Sequence, residues 1–120
     1  MHFTRIDQAG QDAVQRVQQQ PGGSHADEIE TSMMLYIDPA CVDMTKAAND
    51  FHPGSGALTP CAGAPGVYSP TGIYGDATLA SAEKGRVIVE ETLSDLLHDI
   101  TALRNCPLPA NTFAEPDNNG

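Results

Sequence analysis

The stretch Gly22-Gly23-Ser24-His25-Ala26-Asp27-Glu28-Ile29-Glu30-Thr31-Ser32-Met33-Met34-Leu35-Tyr36-Ile37-Asp38-Pro39 decides how the chain is read. Ser24 with Asp27 three residues on has capping-box spacing, and Asp27, Glu28 and Glu30 crowd the positive end of a helix dipole. The spacing predicts a helix over 24–37. It ends at Asp38 because the residue before a proline resists the helical region. Ile29, Met33, Tyr36 and Ile37 fall at i, i+4, i+7 and i+8, one apolar stripe that needs a covering layer.

Upstream, Ile6, Ala13, Val14 and Val17 recur at helical spacing, with Thr4 and Asp7 as a capping pair, so a helix is expected over 4–20. Pro21-Gly22-Gly23 stops it. Downstream, residues 52–76 hold 10 Gly or Pro among 25 and read as one long loop. Val67-Tyr68 and Ile73-Tyr74 are its only scraps of strand character. A last helix is expected over 78–104. There Val89, Leu93, Leu96, Leu97, Ile100 and Leu103 form the apolar stripe, opposite Glu90, Glu91, Asp95 and Asp99. Gly85 weakens its first turns. Residues 105–120, with three prolines, read as a flexible tail.

The organisation is thus mostly helices plus a Gly/Pro-rich loop with little strand, the helical covering of a sheet the chain does not contain. Composition agrees. The 120 residues include 11 Gly and 9 Pro, and only three Tyr, three Phe and no Trp supply aromatic area for a core. A net charge of −10 cannot neutralise phosphates or an anionic membrane surface, so neither nucleic acid nor membrane is an expected partner. The longest apolar run is Met33 to Ile37, far short of a spanning helix. No apolar stretch follows the first N-terminal charge, so no signal peptide is expected and the default location is cytoplasmic. Cys41, Cys61 and Cys106, widely spaced and odd in number, read as reduced thiols.

Chemistry concentrates around His25. At a helix N-terminus the dipole and free N–H groups favour a neutral imidazole, which can donate a proton or hydrogen bond to a leaving group. His25 and Glu28, three apart, would share a helix face and make half of a metal site, while Glu30 and Ser32 project elsewhere and suit supporting work. The plain alternative is that a cap and an acidic first turn account for Ser24, Asp27 and Glu28 without any function. Of the other histidines, His2, His52 and His98, none reads as a ligand-like pair with a carboxylate.

The run His25-Ala26-Asp27-Glu28-Ile29-Glu30-Thr31-Ser32, followed by Pro39 and Val42-Asp43-Met44-Thr45-Lys46-Ala47, resembles the creatininase (creatinine amidohydrolase) family with its H-A-x-E-x-E-T-S helix and V-D-M-S-K-A-like stretch. Gly72-Ile73-Tyr74-Gly75-Asp76-Ala77-Thr78-Leu79-Ala80 with Glu83-Lys84-Gly85 is similar to its G-x-x-G-D-P-x-x-A…E-K-G segment. The resemblance implies the C-terminal part of a three-layer α/β/α fold, spanning residues 1–104 as a partial domain. It implies an oligomeric enzyme that hydrolyses C–N bonds of small linear or cyclic amides with a divalent metal, zinc or manganese. His25 and Glu30 match catalytic positions of the family, with Glu28 and Ser24 as substrate-binding or supporting residues.

The family's metal ligands lie in an E-x-H-G-P-H-like and a G-H-G-G-N-like segment, neither of which occurs here, so no metal ligand is assigned to this chain and it is expected to bind metal poorly alone. The expectation is a C-terminal half, inactive until an N-terminal half supplies sheet and metal, and found as a homo-oligomer or associated with that half. The alternative is a non-catalytic interaction or regulatory protein that keeps the helical assembly surface.

Overall fold

The structure, a computed structural model, describes residues 8–110. In chain order it comprises α1 (Gln8–Val17), α2 (Glu28–Ile37), 3-10 turns at Pro39–Cys41 and Met44–Lys46, β1 (Leu58–Thr59), β2 (Val67–Tyr68), a 3-10 turn at Ala77–Leu79, and α3 (Ala82–Arg104). The molecule is mostly helical, with one small sheet. Among the described residues no helix is long and apolar enough to cross a membrane.

The starts of α2 and α3 and the end of α1 differ from the sequence expectation, each for a local reason. The proposed cap pair Thr4 and Asp7 lies outside the described residues. α1 ends at Val17 rather than residue 20 because Gln19 and Gln20 turn their amide N–H groups onto the Glu28 carboxylate at 2.9–3.0 Å. α2 starts at Glu28, not residue 24. Its cap is Asp27, whose Oδ1 accepts from the N–H of Ile29 and Glu30, while the Ser24 amide donates to Tyr74 O at 2.9 Å. Ser24 is therefore not the cap. α3 begins at Ala82 rather than 78, because Asp76 caps a separate 3-10 turn and Ser81 accepts from Lys84 N to start the helix anew.

The long loop is tied down at three places. β1 and β2 pair in parallel, Leu58 with Val67 and Thr59 with Tyr68. The tight return between them needs Gly66, whose φ is +120° and where a Cβ would sit 2.2 Å from Ala57 O. Tyr74 bridges antiparallel to His25, and Asp76 to Asn49. Of the two strand scraps expected, Val67-Tyr68 is a strand, whereas Ile73-Tyr74 yields only the single bridge at Tyr74.

α3 is the spine, with α1 and α2 both packed on it, and Ala9 N–H donates to Asp95 Oδ2 at 3.0 Å. The α2 crossing is close: a Cβ on Gly85 would stand 1.9 Å from Ser32 O, so the glycine that costs helix propensity is what lets the two backbones approach. Ser32 Oγ ties the crossing by donating to Glu28 O at 2.5 Å and accepting from Ser81 N at 3.1 Å. Among the described residues only Ala13, Ala77 and Ile88 are buried apolar side chains, while Asp27, Glu28, Ser32, Thr59, Ser69 and Asp76 are buried polar ones. The second half of α3 leaves Leu93, Leu96, Leu97, Ile100 and Leu103 between 46% and 74% exposed. The Cα radius of gyration, 21.3 Å, exceeds the ~14 Å of a compact chain of this length.

Candidate active site

The His25–Tyr74 bridge closes the loop over the segment that precedes α2, and a cavity of about 430 Å³ opens beside it. Its walls include Ser24, His25, Phe51, His52 and Tyr74, with Leu58 and Val67 from the two strands forming the apolar side. The sequence region of highest Gly and Pro content thus builds the cavity, because only short pairings and turns hold it against α2.

His25 is fixed from three directions. Its carbonyl accepts from Tyr74 N at 2.8 Å, its ring stands edge-on to the Tyr74 ring at 6.3 Å, and its Nδ1 lies 3.9 Å from Glu30 Oε1. Glu30 is itself held by Ala26 N–H, which donates to Oε2 at 2.7 Å. Ala26 has φ +47°, an uncommon left-handed conformation for a residue with a Cβ, and it swings the chain from the bridge into the helix start. His25 therefore precedes the helix instead of riding on it, so its carboxylate neighbour is Glu30, not Glu28.

Glu28 points the other way. Its side chain is 1% exposed and accepts from Gln19 N, Gln20 N and the Lys84 ammonium, the last at 2.6 Å. Burial opposes its ionisation, but the Lys84 ammonium and the two amide donors outweigh it, and the carboxyl lies below the usual range. Lys84 also donates to Gln19 Oε1 and Leu79 O, so the buried charge is fully partnered. The expectation that His25 and Glu28 form half of a metal site is overturned by this geometry. Ser24 does line the cavity.

Sequence reasoning missed a second pair. His52 Nε2 lies 2.5 Å from Asp50 Oδ1, and His52 lines the same cavity as His25. Its dismissal as a histidine without a carboxylate partner is thus corrected. The signal was present: a D-x-H pattern in a non-helical segment puts both side chains on one side of an extended backbone.

The divalent metal that the family resemblance implies does not fit the described residues. Among them no three His, Cys, Asp or Glu side chains converge on one point, and Asp50 Oδ2 is already taken by the hydroxyls of Ser69 (2.8 Å) and Thr71 (2.6 Å).

Comparison with known proteins agrees with the motifs. The family model described as creatininase, creatinine amidohydrolase, matches residues 1–100. A solved structure of a creatininase mutant carrying phenylalanine in place of a tryptophan superposes with a TM-score of 0.58 and 27% identity, over 79% of this chain and 38% of that one. The chain therefore spans less than two-fifths of the length of that creatininase. No curated protein matches it.

Proposed function

The chain belongs to the creatininase family, and on that premise we propose that it is the substrate-facing, proton-handling part of an amidohydrolase that cleaves a C–N bond in a small linear or cyclic amide. The observation that carries this reading is His25, clamped by the Tyr74 bridge and backed by Glu30 at the wall of a cavity large enough for such a substrate.

Amide hydrolysis needs a proton delivered to the departing nitrogen, because an amide anion is a poor leaving group. An imidazole held in one orientation supplies it at low entropic cost. Glu30 places a carboxylate 3.9 Å from Nδ1, which leaves Nε2 as the atom assigned to give and retake the proton. Ser24 offers a hydroxyl at the same wall. Asp27 and Glu28 hold the helix start and the α1 end in place, and with them the bridge that aims His25.

The remaining requirements come from polypeptide beyond this chain. A complementary N-terminal half would supply the parallel sheet and the divalent metal, zinc or manganese, with its ligands. The 38% coverage of the related creatininase and the exposed face of α3 both support this division. The expected assembly is a complex with such a half, or a homo-oligomer that completes each site from a neighbouring copy.

The test is to purify this chain with an N-terminal creatininase half and zinc or manganese, and to follow hydrolysis of a cyclic amide. Activity above either part alone is expected, with a loss of about 100-fold or more in His25→Ala. No gain over the separate parts would overturn the reading. The exposed apolar face of α3 also suits a non-catalytic assembly role. Tight association that leaves the His25→Ala assembly as active as wild type would favour that role.

A further inference from the structure

The cavity contains more proton-handling equipment than His25 alone accounts for. Asp50 is anchored from several sides: Ser69 Oγ and Thr71 Oγ1 donate to Oδ2, and its own N–H donates to Gly75 O at 2.9 Å. Only Oδ1 is left for His52. The two hydroxyls, Thr71 first and then Ser69, hold the Asp50 carboxyl down at about 2, with burial opposing and His52 adding to the effect. A carboxylate can only accept, so the proton between the two groups resides on His52 Nε2. In the neutral ring Nδ1 then carries the lone pair, and no described residue donates to it.

From this geometry we propose that His52, oriented by Asp50, is a second proton-transfer residue of the same cavity, accepting at Nδ1 a proton from an N–H or O–H group of the bound amide or of the attacking water. This rests on the amidohydrolase reading and deepens it by dividing the labour between two imidazoles. His52 takes a proton at Nδ1 and becomes imidazolium, its charge balanced by Asp50. His25 gives a proton to the departing nitrogen. His25 enters this step as imidazolium and leaves it neutral, and the C–O bond to the water oxygen forms as the C–N bond breaks. Solvent then returns the proton from His52 to His25, so over one turnover no proton is gained or lost and nothing is oxidised or reduced. Asp50 acts as a positioning residue, in the way that a buried carboxylate fixes the tautomer of a catalytic histidine. The groups that face His52 across the cavity are His25 and Tyr74, and no lysine or arginine is among the lining residues.

Two measurements test it, one of them independent of turnover. Imidazole 15N NMR of the full chain should show His52 as the Nε2–H tautomer, with its Nδ1 resonance shifting when millimolar hydantoin, a cyclic amide with donor N–H groups, is added. In Asp50→Asn the tautomer preference should be lost. An Nδ1–H tautomer in the wild type, or an Nδ1 resonance that hydantoin leaves unmoved, overturns the proposal.

In the complemented enzyme His52→Gln should lower kcat by about 100-fold with KM little changed, and should remove the acidic limb of the pH–rate profile. His52 has a half-exposed ring, so this variant keeps the fold. If His25→Ala abolishes turnover while His52→Gln keeps the wild-type kcat and pH profile, the second role is wrong and the amidohydrolase reading stands. If the complemented wild type is inactive, that reading fails, and the NMR result alone decides whether the oriented imidazole takes an amide donor.

Discussion

At its N-terminal end α3 lies against α2 through Gly85, Ser32 and a buried Lys84–Glu28 pair, with every charged atom partnered. Further along the same helix Leu93, Leu97 and Leu103 stand 49%, 63% and 74% exposed. Both halves are amphipathic and both follow the same 3.6-residue period. They differ in whether other described residues cover the face. Toward its start the helix closes its packing against α2 with polar ties. The second half presents a row of branched side chains to water, an arrangement that stabilises nothing until another layer covers it. The polar knot holds the helix crossing together, and the apolar row is the face that the proposed assembly would cover.

The knot is broken hardest by leaving its charge unpaired. Lys84→Met strands a carboxylate that is 1% exposed and should lower the urea-unfolding free energy by about 3–5 kcal/mol, read from the shift in midpoint. The pH dependence sharpens this. Because Glu28 titrates below its ordinary value in the fold, its pairing contributes fully above about pH 4.5 and is lost as pH falls through the lower folded value. The wild type should therefore lose stability in that acid window, and Lys84→Met should lose much less there.

Next in size is Gly85→Ala. It gains helix propensity but drives a methyl into the Ser32 carbonyl, so a net loss of about 3 kcal/mol is expected by the same measurement. A stabilised Gly85→Ala would mean that the crossing is looser than its 1.9 Å approach implies.

The other side of the comparison predicts the smallest change in the chain itself. Leu97→Glu should alter its unfolding free energy by only about 0.5 kcal/mol. Association with an N-terminal half or with a second copy, measured by light scattering or calorimetry, should weaken by about tenfold or more, since burying a leucine contributes about 1.5–3 kcal/mol. Equal association by Leu97→Glu and wild type would show that the row is not the assembly face.

The site was legible in part. His25 stood out because Gly22-Gly23 and an acidic first turn marked the start of a helix, yet that start was placed four residues too early. The error changed its neighbour: on a helix His25 would have met Glu28, whereas the Tyr74 bridge and the left-handed Ala26 turn it toward Glu30. Ser24 and Asp27 are equally good caps by residue type, and the hydrogen bond from Ser24 N to Tyr74 O, fifty residues away, decides between them. Asp50 and His52 carried a readable D-x-H spacing, but their importance depends on Ser69 and Thr71 arriving from across the loop.

The sequence by itself determined that the described residues hold three α-helices, that α2 stops ahead of Pro39, and which faces are apolar. Those are local properties, fixed by the 3.6-residue period, by proline sterics and by composition. Only the tertiary structure decided that Glu28 is a buried partner of Lys84 rather than a ligand, that Gly85 is a contact point rather than a flaw, and that two imidazoles share one cavity. Each of these depends on groups tens of residues apart meeting at hydrogen-bond or van der Waals distance, and no local pattern encodes which of several carboxylates a lysine or a histidine will reach.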